Sequence, residues 1–336
     1  MKIAVIGSGS WGMTLAIHLL RNGHEVTVWF YLQKDYDQAM ESRELPDYLP
    51  DVQLPEGMNF TMDMASCVRQ KDVILVAIPS HTVGPTLTGI ADRIPPDAII
   101  VNVAKGIEND SLRTMSQVIS HAMPDHSPNK ISTLYGPTHA EEVVRGYPST
   151  IVAACPDEKT AEMVQSAFMA DTLRVYTNTD ILGVEFGGSL KNVIAIAAGI
   201  LAGMGYGDNT LAALLTRGLF EMTRLGVHLG AREITFAGLS GMGDLIVTCL
   251  SEHSRNRHVG YELGKGRKLP EILDEMKMIA EGINTARSVH QLIQKTGVEM
   301  PISEQIFQVL FEEKDPKMAV EELMGRAPVP ERHSLA

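Results

Sequence analysis

The sequence lacks most features of proteins that are stabilised by disulfides, that bind metals or that bind nucleic acids. Its 336 residues include only three cysteines, Cys67, Cys155 and Cys249, which are far apart and form no C-x-x-C pair. A disulfide framework and a structural zinc site are therefore not expected, and we predict no bound metal. Acids outnumber bases by 41 to 29, which gives a net charge of −12. This balance argues against a nucleic-acid partner, because surplus lysine and arginine hold phosphate backbones.

Long apolar runs are also missing. The longest lies at 193–204, and its length of about 12 residues falls short of the ~20 that cross a bilayer. The apolar start MKIAVIG is interrupted at once by GSGSWG, which leaves it too short for the apolar region of a signal peptide. We therefore expect a cytoplasmic protein with no membrane insertion.

The length and the hydropathy pattern predict two domains. Up to about residue 180, short β-branched runs alternate with helical stretches such as 11–22 and 111–121. The predicted strands are 2–6, 25–30, 72–78, 98–104, 131–135, 149–154 and 173–177. Several are almost wholly apolar, as expected of strands that are buried on both faces of a mostly parallel sheet.

After residue 180 the β-rich runs stop and helical segments follow. These are predicted at 187–204, 209–229, 270–278, 285–295 and 303–312. We thus predict an α/β domain over 1–180 and an all-α domain over 181–336. The small apolar residues of 193–204 could pack within the chain or against a second copy, which leaves a homodimer open.

A glycine-rich loop follows the first predicted strand. Gly7-Ser8-Gly9-Ser10-Trp11-Gly12 matches G-x-G-x-x-G and opens a helix, the context of a Rossmann-type dinucleotide site. The first glycine permits the tight turn, the second lets a pyrophosphate approach the backbone, and the third lets the helix pack closely. The alternative is a purely structural turn between strand and helix.

The end of the second strand leaves the choice of cofactor open. An NAD-preferring site usually has an acid there, about 20 residues past the loop. This chain has Phe30 and Tyr31 instead, while Glu25 lies at the wrong end of the strand. Lys34 could meet a 2′-phosphate, so either NADP or NAD is allowed.

Polar residues follow two later strands, where ligands bind in open α/β sheets. One strand is followed by Lys105, and another by Gly136 and Thr138. Thr138 also forms a T-x-x-E pattern with Glu141, which predicts a helix-capping box. Thr138 is therefore either a helix cap, a substrate contact, or both.

Lys191 lies in the small, apolar helical stretch GGSLKNVIAIAAGILAG. Burial there would lower its pKa and make it a usable acid or base. We interpret the small residues Gly187, Gly188 and Ser189 as room for a ligand. The alternative is a lysine that extends to solvent.

The second half also contains an acid and a polar triplet. Asp244 closes the glycine-rich turn GLSGMGD, and Ser254, Arg255 and Asn256 follow shortly after. A hydroxyl, a guanidinium and an amide can together bind phosphate oxygens. The alternatives are a polar surface turn and an ordinary acid of a helical turn.

Ten ordered blocks resemble the bacterial NAD(P)-dependent glycerol-3-phosphate dehydrogenase family, nearly from end to end. They are GSGSWGMTLA (7–16), LPDYLP (45–50), VNVAKGIE (101–108), GPTHAEEV (136–143), GGSLKNVIAIAAGI (187–200), TRGLFEMTRLG (216–226), GMGDLIVTC (241–249), SRNRHVG (254–260), AEGINTARSV (280–289) and LFEEKDPKMAV (310–320). The resemblance implies reversible hydride transfer between NAD(P)H and dihydroxyacetone phosphate, which yields sn-glycerol 3-phosphate for phospholipid synthesis.

The resemblance also implies three sets of site residues. The catalytic set is Lys191, Lys105 and Asp244. The cofactor set is Gly7, Gly9, Ser10, Trp11, Gly12, Tyr31, Lys105, Ala140, Arg255, Ile279 and Glu281. The substrate set is Lys105, Gly136, Thr138, Lys191, Asp244, Ser254, Arg255 and Asn256. The chain departs from the family at Tyr31, where many members have Arg or His, and at His139, which replaces an aromatic residue.

Two other functions fit parts of the pattern. One is another Rossmann-plus-helical dehydrogenase, acting on a hydroxy acid or a sugar phosphate, and the blocks of the second half argue against it. The other is a non-catalytic dinucleotide sensor. A sensor would need the glycine loop but not Lys191, Asp244 and Arg255 together, so the sequence favours an enzyme with a small-molecule substrate.

Overall fold

The structure is a computed structural model that describes residues 1–276 and 278–331. The chain divides into two compact units, of which the first contains 1–104 and 115–181 and the second contains 105–114 and the chain from 182 on. The sequence placed the boundary between 180 and 181, so the assignment of 105–114 to the first domain is corrected. This segment joins the helical unit because Ile107 is buried in the hydrophobic core of that unit.

The first unit contains an eight-stranded sheet with the order β10-β9-β8-β7-β6-β1-β2-β5, and a separate antiparallel pair, β3 and β4. The strands are β1 (Lys2–Ile6), β2 (Glu25–Trp29), β3 (Glu44–Leu45), β4 (Leu49–Gln53), β5 (Asn59–Thr61), β6 (Val73–Val76), β7 (Ile99–Asn102), β8 (Ile131–Tyr135), β9 (Ser149–Ala154) and β10 (Leu173–Asn178). Neighbours in the large sheet are parallel except β8 and β9. The predicted mostly parallel sheet is confirmed, and the short strands β3, β4 and β5 were not predicted.

Seven α-helices accompany this sheet within the described part of the chain. They are α1 (Ser10–Arg21), α2 (Gln33–Ser42), α3 (Met64–Val68), α4 (Ser80–Thr88), α5 (Met115–Ala122), α6 (Ala140–Val144) and α7 (Glu158–Phe168). Helix α1 ends in a Schellman motif, in which Gly23 has a φ of 82° and donates to Leu20 O at 2.9 Å. This stop returns the chain directly into β2.

The second unit is helical, as predicted. Its helices are α8 (Ile181–Gly203), α9 (Asp208–His228), α10 (Glu233–Phe236), α11 (Asp244–Leu250), α12 (Arg255–Gly264), α13 (Leu269–Glu275), α14 (Glu281–Thr296), α15 (Pro301–Phe311) and α16 (Pro316–Met324). Two stretches of the described residues, 181–203 and 233–250, are long and apolar enough to cross a membrane. The most apolar window of 181–203 is 89% buried by the rest of the protein, which is typical of the core helix of a soluble protein.

All three cysteines are buried and none is in a disulfide. Burial raises the pKa of Cys67 and of Cys249 to about 12, and it also raises the pKa of Cys155. Because the thiolate is the reactive form of cysteine, these side chains are chemically inert at neutral pH.

Candidate active site

The glycine loop of the first unit has the geometry that a dinucleotide site requires. Gly7 has a φ of 114°, and a Cβ atom there would lie 2.5 Å from Ala77 O. A Cβ on Gly12 would lie 2.3 Å from Gly7 O, whereas one on Gly9 would have nothing within 4 Å. The outer glycines are therefore required by packing, and the middle one leaves the backbone open. Helix α1 begins at Ser10, with no acid in its first turn, so its positive end suits a phosphate.

The carboxyl end of β2 carries no well-placed acid. Glu25 is the first residue of the strand, and Asp35 is buried and accepts a hydrogen bond from the Tyr48 hydroxyl at 2.9 Å. Tyr31 is 76% exposed at this end. Lys34 is also exposed and lies 3.5 Å from Asp47. The residues at this end thus remain compatible with either cofactor.

The structure corrects the capping box predicted at Thr138. Helix α6 begins at Ala140 with His139 in the capping position, and no side chain caps it. The Thr138 N–H donates to Gly136 O at 2.9 Å, and the Thr138 hydroxyl is 3.4 Å from the same oxygen. This tight turn places Thr138 one residue too early to cap the helix. Among the described residues, the Thr138 hydroxyl makes a single, long hydrogen bond.

Two buried side chains fix the backbone at the end of β7. The Ala104 N–H donates to Asn102 Oδ1 at 3.1 Å, and the Asn102 amide returns a bond to Ala104 O at 3.0 Å. The Tyr135 hydroxyl also donates to Ala104 O. Both backbone groups of Ala104 are thus held by side chains, and Lys105 follows directly.

The second unit holds a buried cluster of two lysines and one aspartate. Asp244 Oδ1 lies 2.5 Å from Lys191 Nζ, and Asp244 Oδ2 lies 2.5 Å from Lys105 Nζ. Lys191 Nζ also lies 2.5 Å from Thr248 Oγ1. The side chains are 2%, 7% and 19% exposed for Asp244, Lys191 and Lys105. The cluster therefore carries two positive charges against one negative charge, with little solvent to screen them.

The environment of Lys191 makes it a titratable group near neutral pH. Burial lowers the pKa of Lys191 to about 8, and the positive charge of Lys105 adds to this effect, while Asp244 opposes it. Because the Lys191 side chain is only 7% exposed, the alternative that it extends to solvent is wrong. A lysine with this pKa can both donate and accept a proton at physiological pH.

Gly187 serves close packing of the backbone instead of making room for a ligand. A Cβ atom on Gly187 would lie 2.8 Å from Ser240 O, so α8 touches the turn 239–243 through its backbone. That turn is a π-helical turn, in which the Gly243 N–H donates to Gly238 O, five residues earlier, at 3.1 Å. Asp244 follows as the first residue of α11, and the close packing sets it opposite Lys191.

Ser254, Arg255 and Asn256 start a helix, which corrects the alternative of a surface turn. Ser254 caps α12 by accepting a bond from the Arg257 N–H at 3.2 Å. Arg255 is exposed, and its Nη1 donates to Ile279 O at 2.9 Å. Asn256 is buried, and its Oδ1 accepts from the Gly282 N–H at 2.9 Å. The triplet is thereby joined to the residues that lead into α14.

The two remaining predicted cofactor residues of this unit lie at the start of α14. Ile279 is exposed and its carbonyl receives the Arg255 bond, while Glu281 is the first residue of the helix. Thr248 was missed by sequence reasoning. It lies one helical turn after Asp244, and this i, i+4 spacing was the available signal.

Family models match both halves of the chain. The model of the N-terminus of NAD-dependent glycerol-3-phosphate dehydrogenase matches residues 2–161, and the model of its C-terminus matches residues 180–321. The chain belongs to the NAD-dependent glycerol-3-phosphate dehydrogenase family.

Individual relatives agree with this membership. A glycerol-3-phosphate dehydrogenase (NAD(P)+) of Salinibacter ruber is 48% identical over 97% of this chain and 95% of its own length. One from a Geobacter species is 49% identical over 97% of each chain. The crystal structure of glycerol-3-phosphate dehydrogenase from Coxiella burnetii has a TM-score of 0.92 and 34% identity, and the match covers 97% of this chain and 99% of that one. The resemblance seen in the sequence is thereby confirmed.

Proposed function

We propose that the protein transfers a hydride reversibly between NAD(P)H and dihydroxyacetone phosphate in the cytoplasm, and so forms sn-glycerol 3-phosphate. The observation that carries this proposal is the buried cluster of Lys191, Asp244 and Lys105. A ketone that accepts a hydride develops negative charge on its oxygen, and two ammonium groups held by one carboxylate can stabilise that charge. Membership of the family supports the same activity.

Each member of the cluster has a separate role in this proposal. Lys191 donates a proton from Nζ to the substrate oxygen in reduction and takes it back in oxidation. Lys105 supplies a second positive charge, and Asp244 holds both lysines in place. Thr248 orients the Lys191 ammonium through its hydroxyl. When bound, the nicotinamide supplies or accepts the hydride.

The two predicted domains divide the remaining tasks. We assign most of the dinucleotide site to 1–104 and 115–180, and most of the substrate and catalytic site to 105–114 and 181–336. The proposed cofactor residues are Gly7, Gly9, Ser10, Trp11, Gly12, Tyr31, Lys105, Ala140, Arg255, Ile279 and Glu281. The proposed substrate residues are Lys105, Gly136, Thr138, Lys191, Asp244, Ser254, Arg255 and Asn256. The Asn256 side chain accepts from Gly282 through its oxygen, and its Nδ2 amide group can therefore donate to a ligand.

The direct test is an assay of the purified protein with dihydroxyacetone phosphate. We expect NADH, NADPH or both to be oxidised, and the ratio of the two rates measures the cofactor preference. Unphosphorylated dihydroxyacetone serves as the control and should react far more slowly, because it lacks the anion that the site binds. Failure to oxidise either cofactor would contradict the proposed function.

Arg255 is the proposed phosphate anchor, and its replacement by alanine should separate binding from chemistry. A hydrogen bond to a charged group is worth about 1.5–3 kcal/mol, so kcat/KM for dihydroxyacetone phosphate should fall about ten- to hundredfold. At saturating cofactor, kcat/KM for unphosphorylated dihydroxyacetone should fall little. Arg255→Lys keeps the charge without the planar fork and should give an intermediate loss. An equal loss with both substrates would exclude Arg255 as the anchor.

A further inference from the structure

The segment 105–114 has an unusual backbone for residues that carry side chains. Asp110 and Leu112 adopt positive φ values of 66° and 61°, the left-handed region that favours glycine. Such conformations cost roughly 1–3 kcal/mol each and persist only where the surrounding structure holds them. Lys105 opens this segment, so whatever holds the segment also bears on the lysine.

Two side chains of α14 hold the segment. Ser288 is fully buried, and its hydroxyl lies 2.9 Å from Ile107 O and 2.6 Å from Asn109 Oδ1. Gln291 lies nearly one turn later and forms two hydrogen bonds with Asp110. Its Oε1 accepts from the Asp110 N–H at 3.1 Å, and its Nε2 donates to Asp110 Oδ1 at 3.2 Å. The contacts thus cover 107–110, directly after the lysine.

The same helix also contacts the proposed phosphate site. At its first turn, the Gly282 N–H donates to Asn256 Oδ1 at 2.9 Å. A Cβ atom on Gly282 would lie 2.7 Å from Asn192 O, the residue after Lys191, so α14 packs closely on α8 as well. Helix α14 is therefore a common support for the elements that carry Lys191, Lys105 and Asn256.

We propose that Ser288 and Gln291 are positioning residues that hold the segment 105–110, and thereby keep Lys105 Nζ on Asp244 Oδ2. The proposal rests on the proposed function of Lys105. Neither residue needs to touch the substrate. They act by holding a strained stretch of backbone that would otherwise relax.

Loosening Lys105 should also change the titration of Lys191. The charged or titratable groups that act on the Lys191 ammonium are Asp244, Lys105 and Cys249. Of these, Lys105 lowers the pKa of Lys191. If Lys105 moves away, the pKa of Lys191 should rise, and a variant that is merely less stable would not show this change.

The experiment compares Ser288→Ala and Gln291→Met with Thr296→Val. The control removes a hydroxyl at the last residue of the same helix, which donates to Leu292 O at 2.7 Å and accepts from the Val298 N–H at 3.3 Å. We expect amide hydrogen exchange in 105–114 to become about tenfold faster in both test variants, because a lost hydrogen bond is worth about 1 kcal/mol or more. The control should exchange like the wild type. Gln291 is only partly buried, so Gln291→Met remains informative if Ser288→Ala fails to fold.

Kinetics give the second readout. We expect kcat/KM to fall about tenfold in the test variants, since a small misplacement of a catalytic group is costly, and the pH at half-maximal kcat to rise. In a Lys105→Met background, adding Ser288→Ala should change kcat/KM by less than about twofold. Exchange in 105–114 at the wild-type rate would overturn the proposal. So would a loss of kcat/KM from Ser288→Ala in the Lys105→Met background that equals its loss in the wild-type background. An inactive wild type would instead contradict the proposed function, and the exchange comparison would still test the support of the segment.

Discussion

Lys191→Ala should lower kcat for ketone reduction by about two orders of magnitude or more, the usual loss when a general acid is removed. The substrate oxygen would develop its negative charge without the proton from Nζ, while Arg255 and the glycine loop would still bind substrate and cofactor. KM should therefore change much less than kcat. The measurement is steady-state reduction of dihydroxyacetone phosphate, with cofactor dissociation constants as a check that the fold is intact.

The pH dependence tests the same role in the unaltered protein. The pKa of Lys191 is lowered to about 8, so the ammonium form predominates below that pH and the neutral form above it. Reduction needs the ammonium, and its kcat should fall as the pH rises through about 8. Oxidation needs the neutral amine, and its kcat should rise over the same range. A near-wild-type rate for Lys191→Ala, or identical pH profiles in both directions, would exclude Lys191 as the acid/base.

Asp244→Asn should destabilise the protein and abolish most of its activity. One carboxylate holds both lysines at 2.5 Å, and removing one partner of a buried ion pair typically costs about 3–5 kcal/mol. Asp244 also raises the pKa of Lys191, so its loss should lower that pKa further. At neutral pH Lys191 would then lack the proton that ketone reduction requires. Denaturant unfolding and kcat measure the two effects, and Asp208→Asn, at an exposed acid that starts α9, is the matched control.

The stability of Asp244→Asn should depend on pH with a definite sign. A lysine whose folded-state pKa lies below its unfolded value is protonated more in the unfolded state, so the free energy of unfolding rises with pH. In the wild type this rise begins near the Lys191 pKa of about 8. In the variant it should begin at a lower pH, so the stability of the variant should increase relative to the wild type as the pH rises toward about 8. Parallel curves would show that the lysines do not depend on Asp244.

The sequence predicted the first unit well because its signals are local. The predicted bounds of β1, β8 and β9 agree with the structure, since each is a compact β-branched run with a clear end. The strand, turn and helix around the glycine loop could likewise be predicted, because they follow one another directly. The short strand β5 was missed because three residues are too few to give a periodic signal.

The second unit was harder to predict because its site depends on helix packing. Helix α12 was missed since it begins with a polar stretch and contains two glycines at its close approach to α8, where a Cβ on Gly260 would lie 2.0 Å from Ile196 O. The interpretation of Gly187 as room for a ligand was wrong for the same reason, because a backbone contact between distant segments gives no local sequence signal. The grouping of 105–114 with α14 joins residues about 180 positions apart, as the Ser288 and Ile107 contact shows. Sequence periodicity carries no information on such pairs.

The buried thiols have a practical consequence for labelling. Maleimides and iodoacetamides react with exposed thiolates. The three native cysteines are buried, and because burial raises the pKa of each thiol, the thiolate form is also scarce at neutral pH. A cysteine introduced on the surface would then be the reactive position, with no need to remove the native ones. Fluorophores or spin labels could therefore be attached site by site to the otherwise native protein, including at the exposed Ser111 in the segment 105–114.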